Sequence, residues 1–196
     1  MGKEARRRQA AREAWLASLT ASERTIVDVA ESLYYGFVVP RNFQGGCYLL
    51  SLFLKAFLET EHRIATDAVL GFVNDGTDEV YTSHAWAEHV GRKTDLALAH
   101  PDSTSRGAAG PVRILDRVVK DGWSYQYTTT PPHDPFDPGR FGYGAEVIVA
   151  HKQREHERIR RVIEGGPSAT RMYFDGAPDG CRYEQLAMIA RTPRHR

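Results

Sequence analysis

Between Cys47 and Glu59 the chain reads CYLLSLFLKAFLE, which is apolar nearly all round a helix. A helix of that kind is stable in water only when other elements cover it on most sides, so it predicts a central helix with layers packed around it. The chain has 196 residues, 41% of them hydrophobic and 26% charged, enough to supply those layers within one domain, 1–196.

The flanking patterns indicate what the layers are. Residues 3–36 read as two helices, the first over 3–18 with Ala14, Trp15, Leu16 and Leu19 giving a modest apolar side. Thr20 and Glu23 form a capping box for the second, whose apolar positions Ile26, Val29, Ala30, Leu33 and Tyr34 share a face, and Gly36 and Pro40 are expected to end it. After the central helix, DAVLGFV reads as a strand, and EVYTSHAWAEHV and KTDLALA as a hairpin broken at Gly91. A second hairpin is expected in VRILDRVVKDGWSYQYTTT, turning at Asp121-Gly122, followed by a Pro-rich loop and a helix closed by Gly165. The core is therefore expected over 42–99, with a C-terminal hairpin and helix over 111–165 and a weakly patterned tail over 166–196. The fold class is α+β, a helix packed on an antiparallel sheet.

Cys47 stands where the central helix begins, directly after Gly45 and Gly46. At a helix start the unpaired backbone N–H groups and the positive dipole end favour thiolate over thiol, lowering a cysteine below its free value of about 8.5. The two glycines would let a substrate backbone approach. In the hairpin, alternation puts Thr82, His84, Trp86 and Glu88 on one face of the strand. With Val90-Gly91 as a two-residue loop, His89 pairs with Arg92 and Trp86 with Asp95, which leaves His84 and Asp95 as diagonal neighbours about 5–7 Å apart. With Gly91-Arg92 as the loop, Asp95 would lie too far away. The first register gives an imidazole oriented by a carboxylate.

A Cys at the start of an apolar helix, then a strand, then HAW, then an Asp eleven residues after the His resembles the transglutaminase-like superfamily of Cys-His-Asp enzymes. The resemblance covers about residues 42–99 and is nearest to the compact bacterial transglutaminase-like cysteine peptidases, with a papain-like core. It implies Cys47 as nucleophile, His84 as general base and Asp95 as orienting acid in a peptidase or amidase acting through an acyl-enzyme. Many members follow the Asp with Pro, where this chain has Leu96. Animal transglutaminases carry an oxyanion Trp well upstream of the nucleophile, and this chain has none between Trp15 and Cys47. The Cys47 N–H is the obvious first oxyanion donor, Gln44 is a candidate second, and Gly46 and Trp86 are candidate substrate contacts.

Acyl transfer to an amine by the same triad is the second enzyme reading. Arylamine N-acetyltransferases place such a triad after Arg-Gly-Gly-x-Cys, which QGGC matches only in part. A binding module that keeps the triad as packing is the reading from a different class. A zinc site would need His62 or His89 beside Cys47, His84 and Asp95, and no metal or other cofactor is expected. The net charge of +1 and two short basic termini point to no nucleic-acid or membrane partner, and the partner that the resemblance implies is a peptide or amide substrate. The N-terminus lacks the apolar region of a secretory signal, so a cytoplasmic protein with Cys47 and Cys181 as free thiols is expected.

Overall fold

The structure is a computed structural model that describes residues 2–43, 45–74, 76, 79–98, 112–118, 125–142 and 144–192. Helices α1 (Lys3–Ser18) and α2 (Ala21–Leu33) lead into the short α3 (Val39–Arg41) and the central α4 (Cys47–His62). Strands β1 (Asp67–Asn74), β2 (Thr82–His89), β3 (Arg92–Thr94), β4 (Arg113–Ile114), β5 (Arg117–Val118) and β6 (Gln126–Thr128) follow. The chain ends in α5 (Glu146–Glu164), α6 (Gly166–Asp175) and α7 (Tyr183–Ala190).

The apolar surface of α4 is covered as its sequence requires. Leu50, Leu52, Phe53, Leu54, Phe57 and Leu58 are all buried. They pack on β1 and β2 on one side, and on α2, α6 and α7 on others. Burying each such side chain contributes about 1.5–3 kcal/mol, which makes α4 the centre of the apolar core. The fold is α+β, with α4 laid on an antiparallel sheet of order β3-β2-β1-β6.

The α2 capping box forms in both directions: Thr20 N–H donates to Glu23 Oε2 at 2.8 Å, and Glu23 N–H to Thr20 Oγ1 at 3.2 Å. Gly36 and Pro40 do not end that helix. The chain widens into a π-turn over Tyr34–Val38 and runs on through α3, stopping at left-handed Asn42. In the wider turn the Val39 N–H bonds back to the Tyr34 carbonyl, and Pro40, which has no N–H to lose, fits the following turn. Glycine freedom is outweighed there by burial of Phe37 and Val38.

Two expectations about the C-terminal half also change. The expected turn at Asp121-Gly122 lies outside the described residues, but the segments it was to join belong to different sheets. The Arg113–Val118 segment folds on itself around Leu115 and Asp116, both left-handed, while β6 pairs with β1. Leu115 tolerates its positive φ of 48° because its side chain is buried in the core. Much of the 166–196 tail is helical: α6 and α7 bury Phe174, Leu186, Ala187 and Ala190 in the core around α4.

The β2–β3 turn is Val90-Gly91, with His89 opposite Arg92 and Ala87 opposite Thr94. Both turn residues have positive φ, 49° and 75°, which costs a β-branched side chain about 1–2 kcal/mol. Val90 is 86% exposed and recovers none of that by packing. Val90→Asn should therefore raise the unfolding free energy by about 1 kcal/mol in urea denaturation, without altering the register of the hairpin.

Candidate active site

Cys47 is the first residue of α4, half-buried, and preceded by Gly45 at φ 66°. The turn through Gly45 aims the chain into the helix, and at this first position the Cys47 N–H has no intrahelical acceptor. Gly46 is buried, and a Cβ there would collide with the Phe43 ring. The missing side chain makes room for Phe43, so the glycine serves the packing of the helix start. Gln44 lies outside the described residues.

On β2, His84 is 8% exposed and its Nε2 lies 2.6 Å from Asp95 Oδ2. The hairpin register explains the meeting. The ladder runs from His89–Arg92 to Ala87–Thr94, and Asp95 is the next residue, at the level of Trp86 and diagonal to His84. There the main chain of Asp95 turns to β4, exchanging two backbone hydrogen bonds with Arg113 at 2.7 and 3.1 Å. A proline could follow Asp95 in sequence only by removing the N–H of residue 96, whereas the bonds that hold Asp95 are its own.

The carboxylate is 2% exposed and fully engaged. Besides His84, Oδ2 accepts from the Tyr127 hydroxyl at 2.9 Å, and Oδ1 accepts from the Ala97 N–H at 3.0 Å. Tyr127 comes from β6, which reaches this face only by pairing with β1, so no local pattern pointed to it. Burial first, then the Asp95 charge, hold its phenol well above the usual tyrosine range, so it donates throughout the working range of pH.

Burial alone would depress His84, but the Asp95 charge, the Cys47 sulfur and hydrogen bonds to both raise its pKa to about 10. Cys47 is thus the second group acting on the imidazole. With Nε2–H given to the carboxylate, Nδ1 is the nitrogen left for the sulfur.

Trp86 is buried, its ring 5.0 Å from that of Tyr127 and its Nε1–H given to Glu88 at 3.1 Å. Its indole lies over Gly71, the partner of His84 on β1, where an added Cβ would come within 2.7 Å of the ring. Trp86 therefore forms the wall behind His84, and its N–H is already committed. His62 packs edge-on against Phe57, and His89 Nδ1 bonds the Ala65 carbonyl, so neither joins Cys47 and His84. Among the described residues no group of three His, Cys, Asp or Glu is arranged to hold a metal ion, and no helix is long and apolar enough to cross a membrane. Cys181 is also a free thiol, buried between α6 and α7, and burial pushes its pKa up.

Compared with protein-family models, with curated proteins and with solved structures, the chain gives no match.

Because His84 binds its proton more tightly folded than unfolded, its contribution to stability is complete below about pH 6.5 and is lost as pH rises through about 10. The unfolding free energy should decline across that window in the wild type, and the decline should flatten in Asp95→Asn. Urea titrations at a series of pH values would read both slopes; equal slopes in the two proteins would contradict the ion pair.

Proposed function

We propose that the protein is a cysteine hydrolase that cleaves amide or peptide bonds through an acyl-enzyme, with Cys47 as nucleophile, His84 as general base and acid, and Asp95 as the group that orients His84. The observation that carries this reading is the buried 2.6 Å contact between His84 and Asp95, with Cys47, at the start of α4, acting on the same imidazole. It supports the resemblance to transglutaminase-like cysteine peptidases and their papain-like fold.

In this mechanism the raised proton affinity of His84 favours an imidazolium beside the sulfur, with the Cys47 proton held on Nδ1. The sulfur attacks the substrate carbonyl carbon. Negative charge moves to the carbonyl oxygen, where the Cys47 N–H and the dipole of α4 stabilise it. The C–N bond breaks as Nδ1 gives its proton to the departing amine, leaving a thioester on Cys47. His84, now neutral, takes a proton from water, whose oxygen attacks the thioester, and the sulfur leaves as thiolate. An amine taking the place of water would give acyl transfer, with the same proton movements. Asp95 keeps its charge throughout and holds the ring with Nδ1 toward the sulfur.

The two cysteines provide an internal comparison. Iodoacetamide at neutral pH should modify Cys47 and spare the buried Cys181, as read by peptide mass spectrometry. Cys47→Ala should abolish turnover of fluorogenic peptide amides by at least about a thousandfold while leaving the melting temperature within a few degrees. An unreactive Cys47 in the folded protein, with no turnover of any amide, would favour a binding module.

A further inference from the structure

The residues beside Cys47 and His84 in sequence meet on the opposite side of β2. Tyr48 follows Cys47, and Ser83 precedes His84. The Tyr48 hydroxyl lies 2.6 Å from Ser83 Oγ, and Ser83 Oγ lies 2.6 Å from His156 Nδ1 on α5. His156 is 3% exposed, its ring stacked on Phe72 at 4.9 Å and meeting Phe136 edge-on at 5.6 Å. Burial, and secondarily the Arg160 guanidinium, hold His156 down at about 4, so its ring is neutral at neutral pH. A neutral imidazole, a serine and a tyrosine form a hydrogen-bonded chain whichever way the protons point.

The position of this chain relates it to the site. Successive residues of a strand face opposite sides, so Ser83 and His84 are on different faces of β2. The ladder to β3 ends at Ala87–Thr94, which leaves the Thr82–Trp86 stretch of β2 without a β3 partner. Along that open edge the first turn of α4 can engage both faces, Tyr48 bonding Ser83 on one while Cys47 acts on His84 on the other.

We propose that Tyr48, Ser83 and His156 are positioning residues, a strut joining α4, β2 and α5 that sets the separation of the Cys47 sulfur from His84. This inference rests on the Cys–His reading above. The strut touches none of the reacting atoms. It holds the helix start in register with the strand, and an error of about 1 Å in such a separation is enough to cost up to a hundredfold in rate.

The test measures the rate of Cys47 alkylation by iodoacetamide, across acid to alkaline pH, for the wild type, Ser83→Ala, Ser83→Thr, Tyr48→Phe and His84→Ala. Tyr48→Phe keeps the ring packing and loses only the hydroxyl, so it carries the test if Ser83→Ala folds poorly. The expected result is about tenfold slower alkylation in Ser83→Ala and Tyr48→Phe. Their pH profiles should shift toward that of His84→Ala, and Ser83→Thr, which retains a hydroxyl on a strand-favouring side chain, should restore the wild-type profile. Destabilisation alone would leave the profile of the folded protein unmoved. If His84→Ala slows alkylation but the two strut variants keep the wild-type profile, the strut is overturned and the triad stands. If His84→Ala itself has no effect, both fall.

Discussion

The burial of α4 is the constraint on which the remaining architecture depends. A helix apolar on nearly every side cannot rest on a sheet alone, because its far side would still face water. The sheet of β1 and β2 covers one side, and α2, α6 and α7 cover others. Phe53 shows how the layers lock: its ring stacks with Phe57 on the same helix and meets Phe174 and Tyr183 from the C-terminal helices. A consequence for chemistry follows from the same packing. A helix fixed along its length presents its first turn, and hence Cys47, at a defined point on the sheet.

Strand β2 carries polar chemistry on both faces, and each group is satisfied in a different way. On one face His84 and Asp95 are buried as a hydrogen-bonded pair, with Tyr127 and the Ala97 N–H completing the carboxylate. Burying a carboxylate is costly unless such bonds replace its water, and here three do so. On the other face Ser83 is bonded to Tyr48 and His156, all without formal charge at neutral pH. The two histidines consequently move in opposite directions. His84 is raised, against its burial, by the Asp95 charge and the Cys47 sulfur, while His156 is lowered by burial and Arg160, which outweigh the opposing Glu157 charge. The same side-chain type thus holds a proton tightly on one face and stays neutral at neutral pH on the other.

The parts legible in the sequence are those decided by neighbours a few residues apart. The start of α4 at Cys47, the Thr20–Glu23 capping box and the end of α5 at Gly165 all arise from local signals that the structure honours. The hairpin itself was legible too, but in two registers, and the structure takes the one that turns at Val90-Gly91 and brings His84 to Asp95, only 11 residues on. Where local signals conflicted with packing, packing prevailed. Gly36 and Pro40 mark a helix end in isolation, yet the chain continues helically through a π-turn that buries Phe37 and Val38.

What tertiary structure alone decided are the partners that chain topology brings from far away. Tyr127 is 32 residues from Asp95, and His156 is 73 from Ser83. Each meets its partner only because β6 took the free edge of β1 and α5 packed across β1 and β2. The apolar faces of α6 and α7 likewise gain meaning only once the far side of α4 needs cover. The sequence by itself determined a buried helix beginning at a cysteine and a hairpin with a histidine and an aspartate on its two arms, since backbone geometry transmits those choices over a turn or two, while the register that joins the pair was decided in the fold. The completion of the carboxylate and the link from Tyr48 to His156 depended on which strand edge and which helix face remained unfilled, a property of the assembled core and of no single segment.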